Sequence, residues 1–238
     1  MFGDKYEKIN LPDYIEDILS LLHLNGYEAY GVGGSIRDSI LKIEPYDWDV
    51  TTSALPEQVK KVFENFGVIE TGIKHGTVTV IMKDKHVEIT TYRIDGEYKD
   101  GRHPDTVSFT GSLRQDLARR DFTVNAIAYN NEEGLIDPFH GRADIEKKII
   151  RTVGNPEKRF KEDALRILRA LRFAGTLGFI IHPDTVRAIR NQYESLLKVS
   201  GERKAVELKK LHIGNIHGMD WECGRNILGH KLQRNQIR

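Results

Sequence analysis

"EPYDWDVTT", residues 44–52, sets two aspartates two positions apart around a tryptophan inside a strand-like run. Aspartate suits a pleated, half-buried surface poorly, so the stretch needs a reason. In a strand, successive side chains point to opposite faces, which places Asp47 and Asp49 on one face and Trp48 and Val50 on the other. The tryptophan can then be buried while the two carboxylates stay together. Paired hard oxygen ligands on a rigid strand suit Mg2+, which takes few protein carboxylates and keeps positions for substrate phosphates. Two such ions would activate an attacking hydroxyl and stabilise a leaving pyrophosphate. Taken alone, the pattern reads more readily as a solvated sheet edge whose acids discourage aggregation.

Just upstream, "GVGGSIRD" gives Gly33 and Gly34 before a helix predicted from about Ser35. Backbone N–H groups at such a turn attract phosphate oxygens, and Arg37 in the first helical turn would add a forked contact. Gly31, Gly33 and Ile36 do not satisfy the dinucleotide fingerprint GxGxxG. An ordinary tight turn competes with the phosphate reading, but a phosphate cradle a few residues before a metal-binding strand makes each signal strengthen the other.

The flanking pattern predicts a mixed architecture. Helical spacing through Ile15, Ile18, Leu19 and Leu22 predicts a helix over residues 12–25, and Ser53, Pro56 and Gly67 mark the start and end of another. "TVTVIM" and "HVEITTY" alternate like a hairpin turning at residues 83–85, and "GEYKDGRHPDTVSF" has no sustained period. Within the hairpin, Glu88 is placed as a possible third acid near the two aspartates. From Pro156 the pattern turns helical. The expected class is α+β: a head with a small mixed or antiparallel sheet over residues 1–140, a helical neck over 141–210, and a tail over 211–238.

Composition narrows the classes. Lys and Arg total 36 against 35 for Asp and Glu, so any nucleic-acid site must come from local clustering. Cys223 is the single cysteine, which leaves no internal disulfide framework and no CxxC metal site. His75, His86 and His103 lack metal-ligand spacing. The opening residues lack the layout of a secretory signal, and no stretch reaches the apolar length of a membrane span; the expectation is a soluble, cytoplasmic protein.

Two later motifs complete the pattern. In "EDALRILRALRFA", a helical wheel puts Ala164, Ile167, Leu168, Leu171 and Ala174 on one side and Glu162, Asp163, Arg166 and Arg169 on the other, with Arg172 at the margin. A solvated face with an Asp163–Arg166 pair would be the ordinary reading. "RRD", residues 119–121, sets two cations beside an acid. In order, "GGSIRD", "DWDVTTSA", "RRDFTVNAIAYN" and "EDALRILRALRFA" resemble the class II tRNA nucleotidyltransferase and bacterial poly(A) polymerase family over roughly residues 31–179.

That resemblance implies a polymerase-beta-like nucleotidyltransferase head and template-independent transfer of C and A from CTP and ATP to the tRNA 3′ end. Asp47 and Asp49 would be the catalytic, Mg2+-holding acids, with two ions when nucleotide is bound. Gly33, Gly34, Arg37 and Arg120 would hold the nucleotide, and Asp121 would lie near its sugar. Asp163 and Arg166 would read the base, with Arg169 and Arg172 close to the nucleotide. A carboxylate accepts from the exocyclic amine of cytosine or adenine while a guanidinium donates to the adjacent ring nitrogen. Uracil and guanine reverse that edge, adding repulsion to lost bonds. The loop "RIDGEYKDGRHPDTV" resembles the family's flexible loop and favours full CCA or A addition. Poly(A) synthesis, a small-molecule nucleotidyltransferase and an inactive RNA-binding remnant are the competing readings. Family members continue past the neck, and the unfamiliar C-terminal stretch raises the expectation of a partner chain supplying RNA-binding surface.

Overall fold

The computed structural model describes residues 8–96 and 107–211. The described residues divide after Ile145 into two compact units, residues 8–96 with 107–145 and residues 146–211. The loop residues 97–106 and the tail from 212 onward, with Cys223, lie outside the described residues. Among the described residues no helix is long and apolar enough to cross a membrane.

In chain order the first unit holds α1 (Asp13–Leu24), β1 (Ala29–Val32), α2 (Gly34–Ile40), β2 (Asp49–Thr52), α3 (Pro56–Val62) and β3 (Gly67–Ile69). Next come β4 (Thr77–Met82), β5 (Lys85–Thr91), β6 (Arg93–Asp95) and β7 (Val107–Phe109). The unit closes with α4 (Leu113–Ala118), β8 (Ala128–Asn130), β9 (Gly134–Ile136) and α5 (Gly141–Glu146). Seven strands form one sheet in the order β3-β4-β5-β2-β1-β8-β9. Only the β2–β5 pair is parallel, so the sheet is mixed.

The predicted hairpin is present: β4 buries Val78, Val80 and Met82 on alternate positions, and Lys83 and Asp84 turn with φ of 48° and 61°. Two consecutive residues with positive φ match the twist of a tight hairpin. The helix expected to run to Gly67 stops at Val62 instead. Phe63 is buried, Phe66 packs edge-on against it at 5.9 Å, and the chain reverses so that β3 pairs with β4. The apolar side of α1, Ile15, Ile18, Leu19 and Leu22, is buried as the spacing predicts. Each such side chain contributes about 1.5–3 kcal/mol on removal from water.

The second unit contains β10 (Ile149–Ile150), α6 (Pro156–Glu162), α7 (Leu165–Leu177), β11 (Ile180–Ile181), α8 (Pro183–Gln192) and α9 (Gly201–Lys209). It is helical apart from a two-residue parallel pair between β10 and β11. The long helix expected across "EDALRILRALRFA" is broken at Asp163, which is extended at φ −143° and ψ 107°. Its carboxylate accepts from the Leu165 backbone N–H at 3.0 Å, so it caps the new helix in place of continuing the old one.

Candidate active site

The β2 strand begins at Asp49, so Asp47 stands on the segment entering the sheet. The alternation read from sequence nevertheless persists, with Trp48 and Val50 buried and both aspartates accessible. Pairing with β5 sets Glu88 beside Asp49, and pairing with β1 sets Val32 on its other side. Asp49 keeps a solvent-accessible edge, but protein atoms crowd it enough that burial lifts its carboxyl to about 6. The Arg120 charge opposes the rise, while Glu88 and Asp47 add to it. Asp47 also acts on the Tyr14 phenol of α1, which burial and then Asp47 and Glu44 push upward.

Among the described residues no three or more His, Cys, Asp or Glu side chains are grouped to hold a metal ion by themselves. The donor set still fits Mg2+, which binds through one or two carboxylates and completes its shell with water and phosphate. The like charges that raise the proton affinity of Asp49 are those a divalent cation would relieve.

The glycine turn lies one residue beyond β1. Gly33 has φ 82° and ψ −128°, a backbone state that glycine enters readily and other residues do not. A Cβ at this position would lie 3.1 Å from Arg120 Nη1, so the missing side chain is also what admits the guanidinium. Arg120 Nη2 bonds Asp116 at 3.3 Å, while its Nε is buried without a hydrogen-bond partner among the described residues. The arginine thus brings the "RRD" motif against the glycine turn, with its charge felt at Asp49.

Arg37, expected as a nucleotide contact, is engaged by protein groups. Its guanidinium is buried, donating to Asp38 at 2.8 Å and to Asn125 Oδ1 at 2.6 Å. Asn125 in turn donates to Asp121 Oδ1 at 3.1 Å, and that same oxygen accepts from the Phe122 N–H at 2.8 Å. Arg37, Asn125 and Asp121 therefore form a chain that ties the helix after the glycine turn to the segment after "RRD". Asp121, expected near a sugar, has Oδ1 occupied by this chain.

The second unit holds the expected base-reading residues, and its polar face is covered where the wheel left it solvated. Arg166 is 8% exposed and donates to Glu162 at 2.7 Å and to the Arg159 carbonyl at 3.3 Å. Asp163 pairs with Arg203 at 2.8 Å, and Glu207 meets both Arg172 and, at 3.6 Å, Arg169. The Arg172 guanidinium also stacks over the Phe173 ring at 3.9 Å. Arg203 and Glu207 sit four residues apart on one side of α9, which is why one helix meets three of the four expected residues.

Sequence reading missed Asp116, Asn125, Tyr14, Arg203 and Glu207. Asp116 is fully buried and precedes Arg119 and Arg120 by three and four positions, the spacing of a helical ion pair. "GERKAVEL" carries the Arg203–Glu207 spacing just as openly. The Asp116 spacing points to its own arginines, whereas Arg203 and Glu207 pair with Asp163, Arg169 and Arg172 far back in the chain.

The "Poly A polymerase head domain" model matches residues 29–151, and "Probable RNA and SrmB- binding site of polymerase A" matches 178–212. A CCA-adding enzyme of Geobacillus stearothermophilus is 50% identical over 194 residues, 82% of this chain and 48% of that protein. One from Enterococcus faecalis is 45% identical, over 83% of this chain and 48% of its own length. The chain spans about half the length of the curated relatives it matches. Among solved structures, the Bacillus stearothermophilus CCA-adding enzyme in complex with CTP superimposes with TM-score 0.76 at 47% identity, covering 83% of this chain and 47% of that one. A tRNA nucleotidyltransferase complexed with a primer tRNA and an incoming ATP analog gives TM-score 0.65 at 31% identity, over 81% of this chain and 55% of that one. With the head-domain model matching more than half of its residues, the chain belongs to the poly(A) polymerase head-domain family, that of the class II tRNA nucleotidyltransferases and bacterial poly(A) polymerases.

Proposed function

We propose that this chain adds C and A nucleotides from CTP and ATP to the 3′ end of tRNA without a template, in the cytoplasm. The observation that carries the reading is Arg120, whose guanidinium stands against the Gly33 turn while its charge acts on Asp49. One cation thereby links a phosphate-binding turn to the carboxylate strand. The relatives named above as CCA-adding enzymes support the choice of substrate.

In this reading Gly33, Gly34 and Arg120 hold the triphosphate, and Arg37 keeps the turn in place through Asp38 and Asn125. Enzymes of this family generally use divalent metals; here Asp47 and Asp49 would hold Mg2+, with Glu88 beside them as a third acid. When bound, the metal would lower the charge on the phosphates and activate the attacking oxygen. The RNA 3′ oxygen forms a bond to the α-phosphorus, its proton passes to a nearby base or solvent, and the bond to pyrophosphate breaks. Positioning and fixed charge carry most of such a transfer.

Asp163 and Arg166 read the base edge, and Arg169 and Arg172 contribute positive charge. Asp163 has a carboxylate with room beyond its bonds to Leu165 and Arg203, because a carboxylate offers about four acceptor sites. Asp121 orients Asn125 by accepting from its amide, and in this reading would lie near the sugar of the nucleotide.

The test uses the full chain with Mg2+, labelled CTP or ATP, and tRNAs ending before C, CC or CCA. Growth that stops at CCA is expected, and continued adenine addition would instead assign poly(A) synthesis. Absence of incorporation by folded protein on every RNA would overturn the reading. Asp47→Ala should abolish transfer, whereas Asp163→Ala should relax the preference for CTP and ATP over UTP and GTP. An unchanged preference would remove Asp163 as a base reader.

A further inference from the structure

We propose that Asp116 is a positioning residue for nucleotide binding, fixing the guanidinium of Arg120 against the glycine turn; this rests on Arg120 contacting the triphosphate as proposed above. Asp116 lies on α4, is completely buried, and touches four different residues. Its Oδ1 accepts from Arg119 Nε at 2.9 Å, Arg119 Nη2 at 2.7 Å and the Arg93 backbone N–H at 3.4 Å. Its Oδ2 accepts from Arg120 Nη2 at 3.3 Å and lies 3.3 Å from Thr51 Oγ1, whose single hydroxyl hydrogen it shares with the Thr90 carbonyl at 3.2 Å.

A buried carboxylate at this place either binds a ligand itself or holds the groups that do. A carboxylate offers about four acceptor sites, and Asp116, with no exposed surface, has protein donors at both oxygens. Asp116 therefore has nothing left for a metal or substrate, and acts only through the groups it holds. Burying a carboxylate is costly unless it is paired, and Arg119 alone could provide a counter-ion. The second oxygen is instead spent on Arg120 and on Thr51, a residue of β2 two positions past Asp49. One buried charge thus ties the carboxylate strand, the start of β6 and both arginines together.

The consequence is directional. With Nη2 held by Asp116, Arg120 turns Nη1 toward Gly33 and leaves Nε buried without a partner among the described residues. A forked donor with unused N–H groups beside a glycine turn is prepared for an anion before the anion arrives. Preorganisation of this kind appears in affinity, because the side chain has little freedom left to lose.

The experiment measures the dissociation constant of Mg2+–CTP for the full chain by calorimetry, and the KM values for CTP and tRNA by incorporation. Asp116→Asn keeps the shape and removes the charge. It should weaken CTP binding about tenfold, the size of one lost charge-assisted contact, while KM for tRNA stays within twofold. The same substitution in an Arg120→Ala background should add less than twofold, since both changes remove one contact. An additive tenfold loss in that background, or unchanged CTP affinity in folded Asp116→Asn, would overturn the proposal. If Asp116→Asn does not fold, Arg120→Lys carries the test: it keeps the charge without the fork, and unchanged CTP affinity would again overturn it. Binding of CTP without any incorporation by the wild-type chain would count against the transfer reaction and leave the binding test of Asp116 standing.

Discussion

Replacing Gly33 by alanine should damage both folding and nucleotide binding, and the structure gives a separate cause for each. At φ 82° and ψ −128° an alanine is strained whatever space surrounds it, at a cost of about 1–3 kcal/mol. For a chain of this length each kcal/mol lowers Tm by about 2–4 °C, so a drop of roughly 2–12 °C is expected. The second effect is local: the new methyl would lie 3.1 Å from Arg120 Nη1, while Asp116 holds the same guanidinium from its other end. The arginine must give way by a few tenths of an ångström, and CTP affinity should fall about tenfold, or about 1.4 kcal/mol. Gly34→Ala is the control for stability. It opens α2, its Cβ would lie 3.6 Å from Arg37 in ordinary contact, and alanine in a helix is favoured by about 0.5–1 kcal/mol. Thermal unfolding and calorimetric titration with Mg2+–CTP measure both effects. If Gly33→Ala is as stable as the wild type, the backbone argument fails. If it is destabilised but binds CTP as before, Arg120 is not held where a nucleotide needs it.

Two further outcomes follow from packing and charge. A Cβ on Gly141 would lie 2.1 Å from the Thr123 carbonyl oxygen, a backbone atom that cannot swing aside. Gly141→Ala should therefore destabilise the first unit by about 3 kcal/mol or more, and denaturant unfolding with an unchanged midpoint would refute this. Burial pushes the Asp116 carboxyl up, but Arg120 and Arg119 more than offset it, leaving it below the usual carboxylate range. A lowered folded value means that its stabilisation is fully present above the unfolded value of about 3.9 and is lost as pH falls through the folded one. Asp116→Asn should accordingly flatten the acid side of the Tm–pH profile below about pH 4, and parallel profiles for the two proteins would refute the pairing.

The features legible in the sequence are those set by local periodicity. The alternation around Trp48, the apolar side of α1 and the β4–β5 hairpin depend on neighbours two to four residues apart, so the pattern carries them. The helix break at Asp163 was equally local, but a capping side chain competes with helical spacing, and a wheel drawn through the whole segment assumes the outcome. Arg37 shows a different limit. A cation after a glycine turn suits an anion on chemical grounds, yet Asn125 is 88 positions away and takes the bond.

By itself the sequence determined which residue types are available: two aspartates sharing a face, a glycine turn, an arginine pair and a base-reading pair in recognisable order. Tertiary structure alone decided which charges are committed and which remain for a ligand. Asp116, Arg203 and Glu207 look like ordinary helix-surface charges in sequence, and in the folded chain they are engaged by the arginines of "RRD", by Asp163 just before α7, and by Arg169 and Arg172 of α7. The physical reason is that a buried charge must find a partner: Asp116 finds arginines one helical turn away, but its burial, and the pairing of Arg203 and Glu207, depend on how whole elements pack.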